Sequence, residues 1–245
     1  MKQDLYADRE QYRALQNAGD LRYFRVTEGE TDLMIGASRV LDAKALEIVK
    51  SVRSLVQKEI RERPEFQTSL TPLEASGEKP ELIRGMYQAA EVAGTGPMAA
   101  VAGAIAQAVG RGLLERSPNV TVENGGDVFL AGPHVRVIAI AAGESPISGK
   151  IGIRLTPGKG VGVCTSSGTY GHSLSFGKAD AAVVAADDAA LADAAATMLG
   201  NKVKTPEDLA EAVEWAAALP GVLGAVAVIG DKIAAAGEIE LVPIQ

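Results

Sequence analysis

A single cysteine, Cys164, stands in the whole chain, so no internal disulfide can form and nothing points to an oxidising compartment. Only two histidines, His134 and His172, accompany it, too few for a zinc site built from His and Cys. Aromatic residues make up 4% while Ala, Gly and Val abound, so the core must close by backbone approach between small side chains rather than by large rings. A basic surplus is missing too. The net charge of -7 argues against nucleic acid as a partner, because binding to a phosphate backbone rests on a basic surface that releases counterions. No apolar run approaches the ~20 residues of a membrane span. The most apolar stretch, Pro97 to Val109, is interrupted by Gln107 and followed by Arg111, and reads as a buried helix. The opening Met1-Lys2-Gln3-Asp4-Leu5-Tyr6 lacks the basic-then-apolar text of a signal peptide, and the expected location is the cytoplasm.

What is present, 47% hydrophobic residues in a chain of 245, suffices for one large core. Alternation from Leu21 to Ser38 around Glu28-Gly29-Glu30 predicts a β-hairpin. Helical spacing predicts a helix over about 40–63, stopped by Pro64, and a second over about 97–114. Asn124-Gly125-Gly126-Asp127 between Val120-Thr121-Val122-Glu123 and Val128-Phe129-Leu130 predicts another hairpin. Strands follow at 135–141, 151–155, 161–164 and 181–185. Next comes a helix capped by Asp187 or Asp188 and ended by Gly200-Asn201, and then one opened by Thr205-Pro206-Glu207-Asp208. A last hairpin turns at Gly230-Asp231-Lys232. The expectation is one α+β domain over 1–245, with two similar ββ-αα-ββ halves (about 21–131 and 134–245) whose antiparallel sheets are covered by helix pairs.

Three segments can carry chemistry. Thr165-Ser166-Ser167-Gly168 ends an apolar strand with hydroxyls and a glycine that lets backbone N–H groups converge on an anion; the plain alternative is a Ser/Gly turn. Asp193 and Thr197 lie four apart, so their oxygens share one face of a helix and suit a hard cation such as Mg²⁺; the alternative is a solvated Asp and a Thr bonded back to its own helix. The Asn124-Gly125-Gly126-Asp127 turn exposes backbone amides, although positive φ alone would justify its glycines. Gly96 opens the helix at Pro97 and offers free N–H groups to an anion. Ser166 or Ser167 beside His172 raises the reading of a serine hydrolase, without a nucleophile elbow or a third partner.

Taken in order, Asn124-Gly125-Gly126-Asp127, Thr165-Ser166-Ser167-Gly168-Thr169-Tyr170, His172, and Ala192-Asp193 with Thr197 resemble the motif series of the ApbE family, the FAD:protein FMN transferases. Blocks beginning at Gly96, Glu123 and Ser175 are similar to a soluble branch of that superfamily without an assigned function. The resemblance implies a fold of tandem T-fold-like units. It implies that Asp193, Thr197 and the Ala192 carbonyl hold Mg²⁺ against the pyrophosphate of FAD. It also implies that the Asn124 to Asp127 turn and the Thr165 to Gly168 loop line a nucleotide pocket, with His172 near the phosphates. Lys178 or His172 would neutralise charge or move a proton, and Asp180 would orient either of them. In the transferases an Asp-Pro and a Thr-Gly segment follow the histidine, whereas Ser173 to Asp180 follow here, and Ala196 stands where a Ser usually precedes the motif Thr. The expected ligands are therefore Mg²⁺ with FAD or FMN. Two readings of the activity stay open: pyrophosphate chemistry on a flavin nucleotide, or a protein that binds flavin, another nucleotide or a small anion without turnover. Ala/Gly-rich surfaces leave room for a homo-oligomer.

Overall fold

The structure is a computed structural model that describes residues 19–167 and 177–244. Strands β1 (Arg22–Glu28) and β2 (Thr31–Ala37) form the first hairpin. Helices α1 (Asp42–Glu62), α2 (Glu65–Thr68), α3 (Glu81–Ala93) and α4 (Val101–Leu113) follow, α4 entered through a 3-10 turn at Pro97–Ala100. Strands β3 (Val120–Asn124), β4 (Asp127–Gly132), β5 (Arg136–Ala139), β6 (Ile151–Leu155), β7 (Gly158–Ser166) and β8 (Ala181–Ala186) lead to helices α5 (Ala189–Lys202) and α6 (Leu209–Ala217). Strands β9 (Val222–Ile229), β10 (Lys232–Gly237) and β11 (Glu240–Pro243) complete the chain.

Eight strands form one antiparallel sheet in the order β1-β2-β3-β4-β7-β8-β9-β10, and β11-β6-β5 form a second sheet. Alternation decides which side chains face which layer. Val122, Phe129, Cys164, Ala182 and Val184 pack against the helices. Val128, Leu130, Val163, Val183 and Val226 pack against Ile138, Ile140 and Ile153 of the small sheet. The fold class is thus α+β, in three layers: helices, large sheet, small sheet.

Small side chains set the layer spacing, as the shortage of aromatics requires. A Cβ on Gly162 of β7 would lie 2.3 Å from Ala189 Cα, and one on Gly103 of α4 would lie 2.1 Å from the Ala189 carbonyl oxygen. Helix α5 is therefore wedged between β7 and α4, and Ala189 to Ala196 are all buried. Asp193 is the one charged side chain among those buried residues.

Several elements differ from the expectation. Helix α5 does not stop at Gly200-Asn201 but continues to Lys202; the Gly200 carbonyl packs on the backbone of Gly177, where a Cβ would fall 1.7 Å from that oxygen, so the close approach requires the glycine at 177. Residues 81–93 form an additional helix. The strands expected at 135–141 and 151–155 form β5 and β6 of a separate sheet, where β5 pairs with β6 and β6 pairs with β11, which the sequence did not announce. Among the described residues no single helix is long and apolar enough to cross a membrane.

Candidate functional site

The β3–β4 turn builds the first wall. Gly125 and Gly126 adopt φ of 70° and 108°, which close a two-residue connection and pair Asn124 with Asp127. The strand phase that buries Val122 and Phe129 under the helices turns Asn124 and Asp127 the same way. Asn124 Nδ2 donates to the Ala102 carbonyl at 3.0 Å, which fastens the turn to the first turn of α4. On the opposite face Glu123, 1% exposed, accepts from the Gly126 N–H at 3.1 Å and holds the turn closed.

Helix α5 supplies the second wall. The Gly103 N–H donates to Asp193 Oδ2 at 2.9 Å, and the Ala102 backbone N–H also bonds this carboxyl. Asp193 thus satisfies donors that the first turn of α4 leaves without intrahelical partners. The reverse contact is made by Gln107 of α4, whose Oε1 accepts from the Ala189 N–H at 2.9 Å while its Nε2 donates to the Asp188 carboxylate. Asp188 itself caps α5 through the N–H groups of Ala190 and Leu191. Two antiparallel helices cap one another, which fixes where Asp193 stands.

Strand β7 is the floor. Gly162 lies under Ala189, and Cys164 Sγ is 3.5 Å from the Ala189 carbonyl. Alternate residues of a strand advance by ~6.7 Å and residues four apart on a helix by ~6 Å. Going from Gly162 through Cys164 to Ser166 therefore keeps pace with Ala189, Asp193 and Thr197. Ser166 pairs with Ala182, a helix-facing residue, so its hydroxyl faces the helices. It is 5% exposed, and its Oγ has no hydrogen-bond partner among the described residues. Thr197 is half-buried one turn beyond Asp193.

Asp127 and Asp193 are each 8% exposed. Burial pushes the Asp127 carboxyl up to about 7; the Cys164 thiol and the Thr165 N–H oppose this by hydrogen bonding, and the charge of Glu123 adds to it. Burial likewise raises Asp193 well above the carboxylate range, and the Asp127 charge raises it further, against the N–H groups of Gly103 and Ala102. The Cys164 thiol is raised by burial and by both aspartates. Its single proton serves either Asp127 or the Ala189 carbonyl, not both at once.

Of the sequence-derived candidates, Asn124, Gly125, Gly126, Asp127, Thr165, Ser166 and Asp193 converge here; a Cβ on Gly126 would lie 3.8 Å from the Thr165 carbonyl oxygen. Ser167 adjoins them at the end of β7. Asp193 is buried rather than solvated, and its contacts replace the simple surface alternative. Ala192 is inside α5, where its carbonyl serves the helix ladder. Gly96 packs under Ser69, a Cβ there falling 1.7 Å from the Ser69 carbonyl oxygen, which explains the glycine by close approach. Lys178 is exposed, with its N–H on the Val203 carbonyl, and Asp180 accepts from the Gly230 N–H at 2.7 Å. These contacts lead to the end of α5 and to the β9–β10 turn instead of to the aspartates. Gly168 and His172 lie outside the described residues. Ala102, Gly103, Gln107 and Cys164 were missed; the one signal for them was a glutamine in an otherwise apolar helix.

Among the described residues no group of three or more His, Cys, Asp or Glu side chains is placed to hold a metal. What the chain offers is a smaller set of hard oxygens, the Asp193 carboxylate and the Thr197 hydroxyl, beside a buried Ser166 hydroxyl that lacks a partner. That set fits Mg²⁺, which keeps several waters or substrate phosphate oxygens in its shell.

Comparison with known proteins bears on the chain's family and fold. The model of the family described as AbpE bacteria matches residues 13–235. A UPF0280 protein of Methanocella arvoryzae is 42% identical over 212 residues, covering 86% of either chain. The apo crystal structure of the Pseudomonas stutzeri flavinyl transferase ApbE superposes with a TM-score of 0.53 at 14% identity, over 88% of this chain and 94% of that one. The ApbE protein of Thermotoga maritima does so with a TM-score of 0.55 at 15% identity, over 87% and 96%. At these identities the two structures show a shared fold.

Proposed function

The chain belongs to the AbpE bacteria family, and from that membership and the site's geometry we propose that it binds a flavin nucleotide such as FAD with Mg²⁺ and acts on its pyrophosphate. The observation that carries this reading is the buried meeting of Asp193, Asp127 and the Ser166 hydroxyl, which has no partner among the described residues, beside a glycine turn. Helix capping accounts for Asp193 but gives no reason for a second buried carboxyl or for an unsatisfied hydroxyl.

In this reading Asp193 and Thr197 hold the cation. Mg²⁺, when bound, supplies a countercharge to phosphate oxygens and to charge developing on the transferred phosphoryl group. The glycine turn at Gly125 and the end of β7 orient the phosphates, and the surrounding alanines exclude water. Lys178 and His172 are the proposed groups for neutralising charge or moving a proton, with Asp180 positioning them. The contact of Asp180 with Gly230 favours a second reading, in which the pocket binds the nucleotide without turnover.

FAD fluorescence separates the readings, because stacked adenine quenches the flavin. Cleavage by water breaks one P–O–P bond and leaves FMN and AMP, so a slow Mg²⁺-dependent rise that Asp193→Ala abolishes supports pyrophosphate chemistry. A saturable static change supports binding alone. No change with FAD would sink both readings of the flavin site.

A further inference from the structure

Asp193 and Thr197 alone would leave a cation dependent on nucleotide phosphate for most of its shell, yet the pocket contains more than these two groups. Asn124 and Asp127 are cross-strand partners at the turn, and their strand phase turns both toward the helices. Asn124 reaches the Ala102 carbonyl, and the next N–H, that of Gly103, reaches Asp193. Asp193 and Asn124, the hairpin partner of Asp127, are thus bound to the two ends of one peptide unit of α4, the Ala102–Gly103 amide. Cys164 lies between the two aspartates, bonded to Asp127 and close enough to both for their charges to act on it. Two residues along the same face of β7 is Ser166, more than nine-tenths buried and with no partner for its oxygen among the described residues.

A buried hydroxyl without a partner costs free energy, and two carboxyls in one small apolar enclosure cannot both ionise without a countercharge. A divalent cation relieves both at once, because it accepts lone pairs from the hydroxyl and neutralises the carboxylates. Helix capping relieves neither, since the N–H groups of α4 reach only Asp193.

We infer that Asp127 and Ser166 complete a cation site with Asp193 and Thr197, so that the protein takes up a divalent cation before any nucleotide arrives. This rests on the cation role proposed for Asp193 and extends it. The metal is a resident of the apo protein rather than a companion of the substrate, and nucleotide phosphates enter a shell that already has two carboxylates.

The test is Mn²⁺ titration of the nucleotide-free full chain, read by the loss of the free Mn²⁺ electron paramagnetic resonance signal. Wild type is expected to bind one Mn²⁺ per chain. Asp127→Asn should weaken binding at least ~10-fold, the scale on which metal sites respond to a lost ligand or its support. Ser166→Ala, which only shortens a side chain, should weaken it several-fold and guards against a folding defect in the first variant. Glu47→Gln, on the exposed side of α1, should leave it unchanged. Mn²⁺ remaining free until FAD is added would overturn the inference and leave the flavin reading standing. Mn²⁺ uptake that Asp127→Asn and Ser166→Ala leave at the wild-type level would overturn it as well. Uptake by the apo protein, weakened in both variants, upholds it even if FAD has no effect.

Discussion

The Asp127 carboxyl is held at about 7 chiefly by burial, against an ordinary value of 3.8, so across that interval the folded chain keeps a proton that the unfolded chain has lost. The sign follows from linkage: stability from this group is full below the unfolded value and is lost as pH rises through the folded one. Without added cation, the melting temperature should therefore fall between about pH 4 and about pH 7, and Asp127→Asn should flatten that part of the profile. A wild-type profile that rises over the window would mean that Asp127 is ionised and paired in the folded protein. At this scale the sequence revealed half of the site. The spacing of Asp193 and Thr197 was legible because helical periodicity is local. The partner of Asp193, Gly103, is 90 residues away, and no local pattern reports it. Asn124 read as a turn former, and so it is, but its hold on Ala102 depends on the packing of β3 against α4.

Elements meet in this protein through glycine and alanine, and α5 is the clearest case. Gly162 and Gly103 press on Ala189 from two sides, leaving no room for a methyl group. Gly162→Ala should cost about 1–3 kcal/mol, the range for overpacking a filled core. Because the displaced helix carries Asp193 and Thr197, cation-dependent binding should weaken with it. Urea unfolding measures the first effect; a variant as stable as wild type would show that α5 has slack. The same closeness explains what could be read of the elements. The hairpins were legible from Asn-Gly, Glu-Gly-Glu and Gly-Asp-Lys turns, and α5 from its Asp188 cap. The stop at Gly200 was misread because glycine permits a helix end without imposing one, and the helix runs on to Lys202. Helix α3 was passed over although Ile83, Met86, Tyr87 and Ala90 are buried at helical spacing.

Across the whole molecule, β4 pairs with β7 at the middle of the large sheet, and α4 packs on α5 above it through mutual caps. Contacts of this kind make the two halves one cooperative unit. Denaturant unfolding followed by Trp215 fluorescence, which reports on α6, should coincide with unfolding followed by far-UV circular dichroism; separated midpoints would mean that the halves unfold apart. The order of motifs along the chain carried the family resemblance, and both the matched family and the shared fold agree with it. The three-stranded sheet was not legible, because β5 and β6 look like members of the main sheet until β11 returns from the end of the chain to pair with β6.

In the proposed function a cation held by Asp193 couples this fold to a pyrophosphate nucleotide, and the decisive measurement is the affinity for FAD with Mg²⁺ against that with EDTA. Mg²⁺ should tighten binding at least ~10-fold, the scale on which metal sites respond to a lost ligand, and Asp193→Asn should remove the difference. Equal affinity in Mg²⁺ and in EDTA would contradict it.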